Sequence, residues 1–363
     1  MGFARDSHAE GVRLTRSLRR TLDIAVDLGT ANTLVYVTGR GIVVSEPSVV
    51  AIDQATRDVY AVGLEAKQMI GRTPATISAV RPLRHGVIAD FEVTEQMLRY
   101  FLGRVHRSRF AHPRLVLCAP SGITDVERRA LVEASSAAGA SAVALIEEPL
   151  AAAIGSDLPV AEPSATMIVD IGGGTSEVAV ISMGGVVCLE SVRVGGYDLD
   201  EAVALHLRTR HRLATGTETA ERLKIELGSA WPVHDERVVE VRGRDMASGL
   251  PVAVAISAGE VREALAPTLN QIVLAIKRTL EATPPELAGD ITSSGINLAG
   301  GGSLLEGLPE LVTAETGVDA VRVAEPLTCV AEGAGRSLED FDTVLKATRS
   351  WTSAPRRAAT THR

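Results

Sequence analysis

The sequence predicts a duplicated α/β fold, and three observations carry that expectation. The run Ile24-Ala-Val-Asp27-Leu-Gly29-Thr30 recurs as Met167-Ile-Val-Asp170-Ile-Gly172-Gly-Gly-Thr175. Each copy is followed by two further strand-like runs, so each half opens as strand, turn, strand, turn, strand. Each half then carries a helical stretch adjoining another strand-like run, the alternation of an α/β domain.

In chain order, residues 1–21 are polar and arginine-rich and read as a tail, and the folded body is expected between about Leu22 and Asp340. In the first half the runs after Asp27 are Thr33 to Val37 and Gly41 to Val44; the strand-like run Arg114 to Ala119 precedes the helical stretch Val126 to Ala138. In the second half the corresponding runs are Glu177 to Ser182 and Val186 to Glu190. Here the helical stretch Glu260 to Leu280 precedes the run Gly295 to Leu298. Residues 341–363, ending in a Pro, Arg and Thr mixture, read as a second tail.

Composition narrows the function classes. A chain of 363 residues suits two domains. With 45% hydrophobic and 23% charged residues it is of the soluble class, while 3% aromatic residues and a net charge of −8 argue against nucleic acid as a partner. Cys118, Cys188 and Cys329 lie far apart in apolar runs, which suggests neither disulfides nor a metal cluster and fits a reducing cytoplasm. The eight histidines show no HxxxH-like spacing and read as solvated or packed. Without a signal-peptide core or an apolar run of roughly 18 to 20 residues, the chain is expected to be neither secreted nor membrane-spanning.

The echoed loops carry the chemistry. A strand ending in Asp, followed by Gly-Thr and a second strand, makes a tight hairpin whose backbone N–H groups can face an anion while the carboxylate projects beside it. Asp27 with Gly29, Thr30, Ala31 and Asn32 fits this design, as does Asp170 with Gly172, Gly173, Gly174 and Thr175. Carboxylates do not bind phosphate directly, so the two aspartates serve only if a hydrated Mg²⁺ lies between them and the phosphates. A plain hairpin turn is the alternative for one loop alone; two matched loops weaken it. The third cluster, Gly300-Gly301-Gly302-Ser303-Leu304, follows a strand-like run and is expected to open a helix whose N-terminus admits a phosphate or a flat base, or to be a simple turn.

These residues and the blocks between them resemble the MreB/Mbl family of bacterial actins. The resemblance runs through DLGTANT (27–33), SEPSVV (45–50), EAKQMIGRTP (65–74), RPLRHGVIADF (81–91) and DVERRA (125–130). It continues through IEEPLAAAIG (146–155), VDIGGGTSEVAVIS (169–182), TAERLKIELG (219–228), PPEL (284–287) and LAGGGSLL (298–305). The glycine loops alone indicate the wider superfamily of actin, DnaK-like chaperones and sugar kinases; the blocks between them select MreB.

The resemblance implies an actin-like, duplicated ribonuclease H-like ATPase fold of two large domains with four subdomains around a nucleotide cleft. Domain I would span 22–162, with 50–82 as its small subdomain and 332–345 returning to it. Domain II would span 163–331, with 199–262 as its small subdomain, and 346–363 would be a basic tail. It further implies that Thr30, Ala31 and Asn32 lie near the β- and γ-phosphates and Gly172, Gly173 and Gly174 at the other phosphate loop. Glu221, Arg222, Leu223 and Lys224 would sit beside ribose and base, and Gly301 to Leu304 beneath the nucleotide. Glu148 matches the carboxylate that orients the attacking water, with Glu147 as the neighbouring alternative; Asn32 and Thr175 would donate to the developing phosphoryl charge. Glu221 and Lys224, three apart on a helix, also read as an ordinary surface pair. Tyr197 stands after Gly195-Gly196 where relatives usually carry Asp.

The implied function is ATP-dependent filament formation that determines cell shape. ATP or ADP and Mg²⁺ are the cofactors. The chain itself, cell-wall synthesis proteins and membrane shape proteins are the partners. A DnaK-like chaperone and a sugar-kinase-like enzyme are the rivals. The expected location is the cytoplasm, on the inner face of the membrane. Peripheral contact with anionic lipid is expected through residues 12–22, where Leu14, Leu18 and Leu22 share a helical stripe opposite Arg13, Arg16, Arg19 and Arg20, with Phe110 as a second, weaker contact.

Overall fold

The computed structural model describes residues 23–105, 112–232 and 237–351. Its two halves each hold a five-stranded mixed sheet of the same topology. The first runs in the spatial order Ala142–Glu147, Arg114–Ala119, Ile24–Leu28, Asn32–Val37, Gly41–Pro47. The second runs Ala320–Arg322, Ile296–Ala299, Thr166–Ile171, Ser176–Ser182, Gly185–Val192. The echoed strand is central in both, antiparallel to the next strand in sequence and parallel to one that arrives later. Even the register repeats: Asp27 pairs with Leu34 and Asp170 with Glu177.

Strand pleating divides the apolar residues between cores. Ile24, Val26 and Leu28 join Leu115 and Leu117 in the first half's own core, beneath the helices Phe91–Val105 and Asp125–Ala137. Their neighbours Ala25, Val116 and Cys118 point the other way, into a core shared with Ile168, Ala179 and Ile181 of the second sheet. Met167, Val169 and Ile171 complete the alternation by facing the second half's own core. The strands are therefore apolar on both faces, which is why they read as continuous hydrophobic runs.

Two helices, Glu148–Gly155 and Cys329–Ser337, contribute to the shared core. They cross closely because glycine stands at the contact: a Cβ on Gly155 would collide with the Cys329 carbonyl, and one on Gly333 with the Ala151 carbonyl. The three-stranded sheet Val59–Val62, Val50–Asp53, Ile77–Val80 belongs to the first half, and Leu213–Ala214, Val238–Asp245, Pro251–Ser257 to the second.

The expected strands and helices occur with ends shifted by at most three residues. Two expectations are corrected. The body does not stop at Asp340: the helix Phe341–Trp351 follows, and the Thr348 hydroxyl accepts from the Leu145 backbone N–H at 2.8 Å, fastening it to the first sheet. Nor does the third glycine cluster open an α-helix; Gly301–Leu304 is a single 3₁₀ turn. Residues 12–22, Phe110 and 352–363 lie outside the described residues. Among the described residues no helix is long and apolar enough to cross a membrane.

Candidate functional site

The two echoed hairpins meet at the bottom of a cavity of about 560 Å³ between the halves, within the size range of small-molecule sites. Their contact requires glycine. A Cβ on Gly173 would lie 2.6 Å from the Ala31 Cβ, and one on Gly174 3.0 Å from the Thr30 methyl. The turn at His85-Gly86 wedges against both loops: the Gly86 N–H donates to the Thr30 hydroxyl at 2.9 Å, and His85 Nδ1 lies 3.1 Å from the Gly174 carbonyl.

Asp27, Gly29, Thr30, Ala31, Asn32, Glu148, Asp170, Gly172, Gly173 and Thr175 line this cavity, as do Glu221, Lys224, Gly300, Gly301, Gly302 and Leu304. Four sequence-predicted residues act otherwise. Leu223 is fully buried in the second half's core and Arg222 is exposed. Gly174 packs on His85 and Thr30, and Ser303 is buried with its hydroxyl donating to the Gly300 carbonyl at 2.7 Å. Of the neighbouring carboxylates, Glu148 lines the cavity, whereas Glu147 is the N-cap residue of the helix Glu148–Gly155.

Asp27, Glu148 and Asp170 line the cavity, and Glu177 is buried near them; the charged forms of all four are disfavoured. Burial pushes the Asp27 carboxyl up to about 7. Asp170 also rises to about 7, from burial and then from its neighbours Asp27 and Glu177. Glu148 is raised well above the ordinary glutamate value by burial, then by Glu177, Asp27 and Asp170. Glu177 is raised by burial even though Ser121 N–H, Ser121 Oγ and Ser191 Oγ donate to it at 2.8 to 3.2 Å. Buried carboxylates that repel one another are a hard-oxygen donor set, so Asp27 and Asp170 are the residues that could hold a divalent cation, directly or through its water.

Glu177 was not singled out by sequence, because its signal is only one acid inside an apolar strand. It joins the halves, accepting from Ser121 of the first while belonging to the second. The outer cavity wall also departs from expectation. Lys224 pairs with Asp200 at 2.7 Å and donates to the Gly196 carbonyl at 2.9 Å, whereas Glu221 pairs with Lys67 at 2.9 Å across the cleft. The Glu221–Lys224 surface pair does not form. Tyr197 carries the Arg81 guanidinium over its ring at 4.4 Å, a second contact across the cleft. Asp200, Ile225, Pro326 and Leu327 complete the wall; nothing in their local sequence pattern distinguished them.

The helix Gly196–His211 starts against the second loop, its Gly196 and Tyr197 N–H groups donating to the Gly172 and Gly173 carbonyls at 2.9 and 2.8 Å. The loop's own shape is held by the Gly172 N–H donating to the Thr175 carbonyl at 2.8 Å. Glycine-rich turns of this kind are suited to a polyphosphate.

Comparison with known proteins agrees with this architecture. The family model described as MreB/Mbl protein matches residues 21–346. The cell shape-determining protein MreB of Escherichia coli (strain K12) is 52% identical over 326 residues, covering 88% of this chain and 94% of that protein. Among solved structures, MreB5 of Spiroplasma citri bound to ADP superposes with a TM-score of 0.86 at 36% identity, covering 90% of this chain and 99% of that one. A MamK double helical filament shares the fold at a TM-score of 0.74 and 23% identity, over 88% and 98% of the respective chains. The fold is actin-like, and the chain belongs to the MreB/Mbl family.

Proposed function

We propose that this protein is an ATP-dependent, filament-forming actin-like ATPase that determines cell shape and organises cell-wall synthesis. The observation that carries the reading is the meeting of two matched Asp–Gly hairpins at one cavity floor, where Asp27, Glu148 and Asp170 converge. The named relatives support it: one is called cell shape-determining, another is bound to ADP.

In this reading ATP or ADP fills the cleft. Thr30, Ala31, Asn32 and Gly172 to Gly174 surround the phosphates, Glu221 and Lys224 flank the ribose and base, and Gly300 to Leu304 lie beneath. Asp27 and Asp170 hold hydrated Mg²⁺, which when bound neutralises the phosphates and the acids that burial has raised. Glu148 positions the attacking water and takes its proton; a carboxyl with a raised pKa is better matched to that task than an ordinary one. Thr175 donates to the phosphoryl oxygens. Domain I is 22–162 with 332–351 returning to it, since the helix Phe341–Trp351 is fastened to the first sheet at Thr348, and domain II is 163–331. The protein works in the cytoplasm at the inner membrane face, with wall-synthesis and membrane shape proteins as partners beside its own copies.

Sedimentation of the full chain with and without Mg-ATP, run beside a phosphate-transfer assay with sugars, tests this function. Nucleotide-dependent pelleting with phosphate release is expected. Phosphate transfer to a sugar without pelleting would overturn it in favour of a kinase.

A further inference from the structure

Away from the cleft, tertiary packing gathers three metal-ligand side chains that the sequence keeps apart. His206 and His211 lie on the second half of the helix Gly196–His211, and Glu260 lies in the first turn of the helix Ala258–Ala282 that packs against it. Glu260 Oε1 is 2.7 Å from His211 Nε2 and 3.9 Å from His206 Nε2, and the ligand atoms all fall within 4.8 Å of one another. The carboxylate is held from behind: Glu260 Oε2 accepts from the Ser257 N–H and hydroxyl, both at 3.1 Å, in the helix's capping box. One oxygen is thus anchored and the other turned to the two rings.

A second observation points to a ligand. His206 Nε2 is buried and has no hydrogen-bond partner, although Glu260 Oε1 is its neighbour. A buried ring nitrogen left unpaired is unfavourable, and ligation of a cation is one way to satisfy it.

We propose that His206, His211 and Glu260 form a binding site for a borderline divalent transition metal, with Zn²⁺ as the best match. Two imidazoles and one carboxylate are a recognised zinc donor set that leaves the fourth position open. Donors about 2.1 Å from a tetrahedral ion stand about 3.4 Å apart, between the shortest and longest separations seen here, so closure needs only small side-chain rotations. The side chains are 18%, 21% and 28% exposed, enough for an ion to enter and for water to take the fourth position. Nitrogen donors disfavour Mg²⁺, which separates this site chemically from the acid-lined cleft. The ion would fasten the end of one helix to the beginning of the next, and the first of these helices starts on the phosphate loop. Bound there, the ion would brace the domain behind the nucleotide site.

The test is calorimetric titration of the tag-free, nucleotide-free full chain with ZnCl₂, with Co²⁺ absorption as the probe of geometry. The wild-type chain should bind one equivalent that Glu260→Gln weakens at least tenfold and His206→Gln/His211→Gln removes, and Co²⁺ should give the intense visible bands of a four-coordinate ion. Glu260→Gln keeps the capping-box side chain, so its fold is preserved; an intact thermal shift with Mg-ADP checks this. Zn²⁺ bound elsewhere, at the cleft acids or other histidines, is unchanged by these substitutions. Zinc affinity equal in wild type and Glu260→Gln, or a six-coordinate Co²⁺ spectrum, would overturn the proposal.

Discussion

At the scale of single residues, the proposed function rests on carboxylates that the fold buries at the cleft. Glu148 is buried beside Glu177, Asp27 and Asp170, and its environment differs from that of Glu147 one position earlier because the helix begins between them. Glu148→Ala is expected to keep nucleotide binding and slow hydrolysis by about a hundredfold, the usual contribution of a positioned base. Single-turnover phosphate release beside Glu147→Ala checks it; the opposite ranking of the two variants would place the water at Glu147. Asp27 and Asp170 make a separate prediction. Mg-ATP at a hundred times its Kd should stabilise the wild-type chain by about 2.7 kcal/mol, and Asp27→Ala or Asp170→Ala should lose most of that gain in a thermal-shift titration. A full shift in both variants would detach the metal from these residues.

At the scale of elements, the helices Glu148–Gly155 and Cys329–Ser337 cross so closely that a Cβ on Gly155 or Gly333 would collide with a carbonyl oxygen of the other helix. Both helices present Ala and Gly there, and Gly333 and Gly155 each face a carbonyl of the partner helix. Because the first helix begins at Glu148, the crossing also sets how that side chain enters the cleft. Gly333→Val should destabilise the fold by about 3 kcal/mol, since neither backbone can yield easily. Urea denaturation reads this directly; a midpoint equal to wild type would mean the helices can part without loss. The position is not a special backbone conformation, so the effect comes from space alone.

At the scale of the whole molecule, the shared apolar core and the Ser121–Glu177 and His85–Gly174 contacts join the halves below, and further polar contacts join them above, across the cleft mouth. Lys67 pairs with Glu221 at 2.9 Å, Arg72 with Glu218 at 3.2 Å, and Arg81 stacks on Tyr197. Partly exposed pairs contribute about 0.2 to 1 kcal/mol each, so they bias the cleft toward closure without locking it. Lys67→Ala/Arg72→Ala should speed release of a fluorescent ADP analogue by about three- to tenfold in stopped-flow measurements, more at low salt than at high. Unchanged release would show that the mouth is not held by these pairs. The membrane reading belongs to this scale too, because polymerisation multiplies weak anchors. Deleting residues 1–20 should abolish co-sedimentation with anionic liposomes while ATP-dependent pelleting persists, and equal liposome binding by the truncated chain would leave that segment as a solvated tail.

The duplication, the central strands and the two Asp-Gly hairpins were legible in the sequence because each depends on neighbours in the chain. An apolar run ending in Asp-x-Gly specifies its own hairpin, and its recurrence after 143 positions, from Asp27 to Asp170, declares two halves. The intervening motifs extended this to a family, and with it to Glu148, Glu221 and Lys224. What the local pattern could not supply was partnership. Glu221 and Lys224 are three apart on one helix, yet each pairs elsewhere, because a charged side chain takes the partner that the opposing surface brings within reach. Leu223, in the same motif, turns into the core because helical periodicity places it opposite the cleft. Glu177, Tyr197 and the His206–His211–Glu260 cluster acquire meaning only when strands and helices distant in sequence pack together. The chain alone thus determined the folding units and the glycine hairpins, and tertiary packing decided which side chains meet around them, since burial and charge pairing are properties of a surface and its opposite.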